Sequence, residues 1–452
     1  MASGEKLSSF KDQVLENLHL LQDKPDLDSE LFQFRRFALQ LESFLMDKRT
    51  PTPYTVAVHG EWGGGKTSLI RRVHNSIKSF HKNNCKVLWF DAWEYERVDP
   101  VLALMQRMAL LYRDKGDKVK RIVKGLAVTS SDIVARKTIG LSSKQIQANF
   151  ESSVKNIPTI TEQVEKMVNE SRLIVFIDDL DRCLVENALG ILEAVKLFLN
   201  AEGVIFVIAV DMSKLERAWE LRYKGMEIGT KEGREHIDKI FQLKLSLPPK
   251  EIIQVDSYIQ KLASSLPDNE RRLLISGCPP NPRKIKRILN LVYFIALQIE
   301  EVRFREYLPV IIIWSIATAV FQKLAQITSP YPNSLVQMSL IAYHLIEVER
   351  LNYRLDDFKR AIQNNGSVKI SSSPGSDLII NWEDLLPTTV SGLEYVVKEP
   401  AAFNLLKAIA EYYSIIVTNE VPENLRPTLK RHYDGMSRTM KNVIYQAGLM
   451  GV

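Results

Sequence analysis

Cysteine is scarce in this chain. Only three of its 452 residues are cysteines, Cys85, Cys183 and Cys278, and they lie far apart with no C-x-x-C pair and no histidine cluster nearby. This pattern supports neither a disulfide framework nor a zinc-binding module. It favours a reducing compartment, and we expect a cytoplasmic protein.

Long hydrophobic runs are also missing. The longest strongly apolar run, Leu308 to Phe321, is shorter than the roughly 18 to 20 residues that cross a bilayer, so it predicts a buried helix. The first thirty residues carry Asp12, Glu16 and five further acids without a continuous apolar run, which argues against a secretory signal peptide. We therefore expect no membrane span.

The overall composition is that of an ordinary globular protein, with 45% hydrophobic and 25% charged residues. It argues against a mostly disordered, collagen-like or coiled-coil chain. The net charge of +6 is concentrated, because residues 113–144 hold nine basic and three acidic side chains. Such a segment is a solvated helix face, a docking surface for a protein, or a contact for nucleic acid.

Short apolar runs alternate with helical patterns in the first half of the chain. We predict parallel strands, buried on both faces, at residues 54–59, 86–90, 173–177 and 204–210, and amphipathic helices at 31–46 and 68–79. Residues 101–170 are helical and basic in pattern, which indicates an insertion between strands. After residue 249 the pattern is helical to the end, interrupted by a polar loop at 364–377. The alternation predicts an α/β fold.

Residues 60–67 read G-E-W-G-G-G-K-T and fit the phosphate-loop pattern G-x-x-x-x-G-K-[ST]. The four glycines, Gly60, Gly63, Gly64 and Gly65, let successive backbone N–H groups turn inward around an anion at a helix N-terminus. Lys66 is expected to reach the β- and γ-phosphates, and the Thr67 hydroxyl to ligate Mg²⁺. The chain contains no Asn-Lys pair, so it lacks the N-K-x-D element of guanine-specific proteins, and we expect ATP.

A phosphate loop needs an acid on a neighbouring strand, and Asp178 and Asp179 follow the apolar run 174–177. Asp178 is predicted to hold Mg²⁺ through water, and Asp179 to orient or deprotonate the attacking water. Lys66, Asp178 and Asp179 are thus the candidate catalytic residues. Arg182 has three possible roles: stabilising transition-state charge, contacting a neighbouring subunit, or pairing with an acid.

These elements predict a P-loop NTPase core with a parallel sheet and a helical insertion, followed by a helical lid and a helical C-terminal region. The expected domains are an N-terminal helical segment at 1–50, the core at 51–250 with its insertion at about 101–170, the lid at 251–330, and the C-terminal region at 331–452.

Four stretches resemble the KAP family of P-loop NTPases: G-E-W-G-G-G-K-T-S at 60–68, F-D-A-W-E-Y at 90–95, D-D-L-D-R-C at 178–183, and 241–249 ending in L-P-P. The family commonly has Asn where this chain has Asp91. The resemblance implies a STAND-like ATPase switch, with Ser68 in the nucleotide loop, Asp211 sensing the γ-phosphate, and Arg283 of the lid reaching the nucleotide. Many members of the family carry transmembrane helices inserted in the NTPase domain. This chain has the basic segment 101–170 in that region instead, so it resembles the soluble members.

The leading functional hypothesis is an ATP-hydrolysing, Mg²⁺-dependent switch in signalling or antiviral defence, with output through a protein partner or a homo-oligomer. The alternative is an AAA-like ATPase that acts on nucleic acid through residues 113–144. A scaffold that binds ATP without hydrolysing it is disfavoured by the paired acids Asp178 and Asp179.

Overall fold

The computed structural model describes residues 9–16, 34–81, 85–95, 100–112, 172–197, 201–222 and 237–329, with shorter pieces within 18–22, 164–168 and 335–412. The chain divides into two compact units, one formed by residues 25–249 and the other by residues 1–24 together with 250–452. The basic segment 113–144 lies outside the described residues.

Seven strands are described. They are β1 (Tyr54–His59), β2 (Cys85–Asp91), β3 (Arg172–Asp178), β4 (Val204–Val210), β5 (Leu243–Ser246), β6 (Val368–Ser371) and β7 (Asp377–Ile380).

The principal helices come from both units. They are α1 (Phe10–Glu16), α2 (Phe34–Met46), α3 (Lys66–Phe80), α4 (Pro100–Leu111), α5 (Val185–Leu197), α6 (Met212–Arg222), α7 (Ile252–Leu262), α8 (Asp268–Gly277), α9 (Pro282–Gln298), α10 (Glu301–Val320) and α11 (Gln322–Thr328).

The unit at 25–249 is built on a five-stranded sheet in the order β2-β3-β4-β1-β5. Every neighbouring pair of strands is parallel. All of β4 is buried, and so is β3 from its second residue onward, because helices cover both faces of a parallel sheet. This burial explains why four strands could be predicted from continuous apolar runs, and the structure confirms all four to within two residues.

The sequence analysis missed β5. This strand has only four residues, and its burial alternates between half-buried and exposed positions. It lies at the edge of the sheet beside β1, where an exposed lysine, Lys244, is compatible with a strand. A short edge strand lacks the continuous apolar run that identified the others.

The strand order brings three polar loops to one edge of the sheet. Because all five strands are parallel, their carboxyl ends lie along the same edge. The glycine loop follows β1, Asp178 ends β3, and Asp211 follows β4. Since β4 lies between β1 and β3, Asp211 is placed between the other two.

The other unit is mainly helical. Its α10 is buried along most of its length, with Phe304, Ile312 and Ala317 fully buried, which confirms the buried helix predicted from the apolar run. The N-terminal α1 belongs to this unit, where the Lys11 ammonium donates to the Ile299 carbonyl at 2.6 Å. Across the described ranges, no helix has both the length and the apolar character needed to cross a bilayer.

One local prediction in this unit was wrong. The segment at 364–377, expected to be a polar loop, contains β6, which pairs with β7 in an antiparallel hairpin. Both strands are four residues long, and a hairpin this short between polar residues gives little hydrophobic alternation for a sequence pattern to detect.

Candidate functional site

The glycine loop between β1 and α3 adopts backbone conformations that residues with a side chain rarely adopt. Gly63 has φ 77° and Gly65 has φ 106°, both in the left-handed region. A Cβ atom at Gly65 would lie 2.5 Å from Cε2 of Phe34, the first residue of α2. The Gly64 N–H donates to the Glu61 carbonyl at 3.0 Å and closes a tight turn. Close packing and backbone conformation together therefore require glycine at position 65.

Lys66 begins α3 and turns its side chain back over the loop. Its ammonium donates to the carbonyls of Gly60 at 2.8 Å and Glu61 at 3.2 Å, and only 7% of the residue is exposed. Burial lowers the pKa of Lys66, and the carboxylates of Asp181, Asp211 and Asp178 oppose this effect. A buried cation at a helix N-terminus suits a phosphate ligand.

The next residue links the loop to the acid strand. The Thr67 hydroxyl donates to Oδ1 of Asp178 at 3.1 Å, and Asp178 is 3% exposed. Burial is the main cause that raises the pKa of Asp178 to about 6, and the charge of Asp179 adds to it. A nearby cation would favour the carboxylate form.

This pair of oxygens suits a hard cation such as Mg²⁺, which takes hydroxyl and carboxylate oxygens together with phosphate and water. Among the described residues, no group of three or more His, Cys, Asp or Glu side chains is arranged to hold a metal ion. The remaining ligands would therefore have to come from phosphate and solvent, as is usual for magnesium sites of this kind.

Asp179 has a strained backbone. At φ 54° and ψ 26°, it is the one non-glycine residue with positive φ in the described part of the chain, a conformation that clusters at functional sites. Its Oδ1 forms an ion pair with Nε of Arg182 at 2.8 Å. The Arg182 guanidinium also lies 5.6 Å from the ring centroid of Trp93. Of the three roles left open for Arg182, pairing with an acid is the one seen here.

A further carboxylate, Asp91, stands beside the acid strand. It ends β2 and lies opposite Asp178 in the register of the two strands, and its Oδ1 accepts from the Trp93 N–H at 3.1 Å. The charge of Asp91 contributes to the raised pKa of Asp178. The carboxyl ends of β2 and β3 thus place Asp91, Asp178 and Asp179 together at one edge, where negative charge accumulates.

Asp181 and Lys214 complete the cluster. Oδ2 of Asp181 lies 3.9 Å from the Lys66 ammonium and 3.7 Å from the Lys214 ammonium. Lys214 is in the first turn of α6, and its backbone N–H donates a hydrogen bond to Oδ1 of Asp211 at 3.4 Å. Sequence reasoning missed Lys214 because a lysine four residues after a strand matches no motif. Asp181, Asp211, Lys214 and Arg217 are among the residues that line a cavity of about 200 Å³.

The structure thus gathers most of the predicted site residues at one edge of the sheet: Gly60, Gly63, Gly64, Gly65, Lys66, Thr67, Asp178, Asp179 and Asp211. Ser68 lies beside them in the first turn of α3. Arg283 lies in the other unit, at the start of α9, where Asn281 caps the helix. Its contact with a nucleotide stays a prediction.

Comparison with known proteins supports this reading of the loop. The model of a family described as the KAP family P-loop domain matches residues 34–299, more than half of the chain. An uncharacterized protein of Methanocaldococcus jannaschii is 26% identical over 176 aligned positions, covering 28% of this chain and 91% of that protein.

The solved structures that match this chain have lower sequence identity. A chain of Drosophila ORC bound to DNA is 12% identical and covers 88% of this chain and 94% of its own, with a TM-score of 0.37. The Aeropyrum pernix ORC1 protein in complex with DNA is 16% identical and covers 88% and 100%, with a TM-score of 0.34. The Walker-type ATPase of Pyrococcus abyssi is 12% identical and covers 83% and 100%, also with a TM-score of 0.34.

The packing of the loop can be tested with Gly65→Ala. We expect this substitution to lower the free energy of unfolding of the unit at 25–249 by about 1 to 3 kcal/mol, because it forces a strained φ and a clash with the Phe34 ring. Gly60→Ala is the matched control, since Gly60 has no positive φ and its Cβ would meet only side-chain atoms of Leu247, the nearest being Cδ1 at 2.9 Å. Urea denaturation measures both losses.

Phe34→Leu separates the clash from the backbone strain. Leucine removes the ring atoms that a Cβ at position 65 would meet, so the double variant should lose less stability than the sum of the two single losses. Additive losses, or an equal loss in Gly60→Ala, would contradict this account of the loop.

Proposed function

Because the chain belongs to the KAP family of P-loop NTPases, we propose that its glycine loop and the adjacent acids bind ATP with Mg²⁺ and hydrolyse it. One observation carries the proposal: the Thr67 hydroxyl meets the buried Asp178 carboxylate at 3.1 Å, next to the buried ammonium of Lys66. A cation for phosphate and an oxygen pair for metal therefore lie side by side, as ATP with Mg²⁺ requires.

Binding follows from the charges of the loop. The N–H groups at the start of α3 and the Lys66 ammonium hold the β- and γ-phosphates, and Lys66 exchanges its two carbonyl acceptors for phosphate oxygens. Ser68 contributes from the same turn. Thr67 and Asp178 hold the metal, directly or through water. Bound Mg²⁺ supplies charge neutralisation for the phosphates.

Hydrolysis needs a general base that accepts a proton from the attacking water. The water oxygen attacks the γ-phosphorus as the bond to the β,γ-bridging oxygen breaks, and Asp179 orients the water and takes its proton. The ion pair between Nε of Arg182 and Oδ1 of Asp179 fixes the orientation of this carboxylate. Asp211 senses the γ-phosphate from the end of β4, and Arg283 of the lid contacts the nucleotide.

The output of the site is a change of conformational state. The resemblance to STAND-like ATPases supports a cytoplasmic switch in signalling or antiviral defence, acting through a protein partner or a homo-oligomer. In such a switch, hydrolysis sets how long the ATP-bound state lasts.

Lys66→Ala tests nucleotide binding. We expect it to weaken Mg²⁺-ATP binding by about 10- to 150-fold, because a charge-assisted contact is worth about 1.5 to 3 kcal/mol. Lys78→Ala removes the same charge from an exposed position in the last turn of α3 and should leave binding unchanged. Titration calorimetry measures both. Equal affinity in Lys66→Ala and the wild type would refute the assignment of the loop.

The two acids should separate metal binding from chemistry. Asp179→Asn keeps the shape of the side chain but cannot accept a proton, so it should leave Mg²⁺-ATP binding intact and slow hydrolysis about 10²- to 10⁴-fold. Asp178→Asn should first raise the Mg²⁺ concentration needed for half-maximal binding. Measured ATPase rates and Mg²⁺ titrations distinguish the two, and an exchange of these phenotypes would show that the two roles are reversed.

A second candidate function is action on nucleic acid. Only the charge of residues 113–144, with nine basic and three acidic side chains, supports it. Charge runs of this kind are more often solvated faces or protein-docking surfaces. We therefore favour the protein switch.

Filter binding at two salt concentrations decides between these functions. A variant with Ala at Lys118, Lys120, Arg121 and Lys124 should bind DNA and RNA as weakly as the wild type. Sub-micromolar binding by the wild type that is lost in the variant, with a salt slope lower by roughly one unit per phosphate contact removed, would establish the nucleic-acid function instead.

A further inference from the structure

Asp181 is a buried carboxylate held between two lysines. Its side chain is 5% exposed, and its Oδ2 lies 3.9 Å from the Lys66 ammonium and 3.7 Å from the Lys214 ammonium. Among the described residues, this oxygen has no hydrogen-bond donor. A buried carboxylate oxygen without a hydrogen bond is costly, so the charges of the two lysines are what keep it in place.

The two lysines approach this oxygen from different elements. Lys66 lies on the loop side, since its ammonium also donates to the Gly60 and Glu61 carbonyls. Lys214 comes from the first turn of α6, directly after Asp211 at the end of β4. Its side chain is 50% exposed, and a lysine has a long flexible stem whose ammonium can move several ångströms.

We propose that Lys214 is a second cation for the γ-phosphate of ATP, and that Asp181 holds Lys66 and Lys214 until the γ-phosphate replaces its carboxylate. The inference rests on the proposed function of the loop and extends it with a residue that no motif identified. Asp181 acts here as an internal anion that competes with the terminal phosphate of the nucleotide.

This arrangement makes the site discriminate between nucleotides. Lys66 belongs to the loop and serves the β- and γ-phosphates of ATP and the β-phosphate of ADP. Lys214 reaches the cluster from the end of β4, so it contributes only when a γ-phosphate is present. Removing the ammonium of Lys214 should therefore cost ATP affinity and spare ADP affinity, whereas removing the carboxylate of Asp181 should favour ATP.

Titration calorimetry with Mg²⁺-ATP and Mg²⁺-ADP on the full chain tests the inference. Lys214→Ala should weaken ATP binding by about 10- to 150-fold, the equivalent of one charge-assisted contact, and change ADP binding less than about twofold. Lys214→Arg keeps the charge and should retain the preference for ATP. Lys78→Ala, which removes an exposed cation from the last turn of α3, away from this cavity, is the control and should alter neither affinity.

Asp181→Asn should change the affinity for ATP in the opposite direction. It should tighten ATP binding severalfold, because the competing anion is gone, whereas a carboxylate with only a structural role would weaken binding when replaced. Equal losses for ATP and ADP in Lys214→Ala, no loss for either, or weaker ATP binding in Asp181→Asn would overturn the inference while leaving the proposed function intact. A wild type that binds neither nucleotide would overturn both.

Discussion

The hydrogen bond between Thr67 and Asp178 joins two parts of the sheet that are not neighbours. Thr67 follows the loop after β1, Asp178 ends β3, and β4 lies between these strands. The contact therefore depends on the strand order, on the parallel direction of every strand, and on a loop tight enough to turn α3 toward the acid. Those constraints in turn explain the buried apolar strands and the glycine against Phe34.

The charge at this edge is unbalanced in a way that favours a metal-bound nucleotide. Five carboxylates lie there, Asp91, Asp178, Asp179, Asp181 and Asp211, against three cationic side chains, Lys66, Arg182 and Lys214. Burial first, and the neighbouring carboxylates Asp179 and Asp91 after it, raise the pKa of Asp178 to about 6. A divalent cation reduces the repulsion between these carboxylates, and phosphate oxygens pair with the lysine ammonium groups. Binding metal and phosphate together therefore gives both the acids and the lysines partners of opposite charge.

Local sequence patterns predicted most strands of the core but few of the side-chain contacts between residues that are distant in sequence. Strands β1, β3 and β4, whose carboxyl ends carry the loop, Asp178 and Asp211, could be predicted because buried parallel strands are continuous apolar runs. The packing of Phe34 against Gly65 and the sharing of Asp181 by Lys66 and Lys214 could not, since they join residues distant in sequence. Arg182 illustrates the same limit, because its motif alone did not identify Asp179, three residues earlier, as the acid with which it pairs.

Thermal unfolding with nucleotide tests the central claim most directly, namely that phosphate and metal are bound together through Lys66, Thr67 and Asp178. A ligand that binds only the folded state stabilises it by RT ln(1 + [L]/Kd), about 2.7 kcal/mol at a concentration of 100 Kd. The account predicts that ATP with Mg²⁺ raises the Tm clearly more than ATP with EDTA. An equal Tm with ATP and Mg²⁺, with ATP and EDTA, and without nucleotide would contradict it.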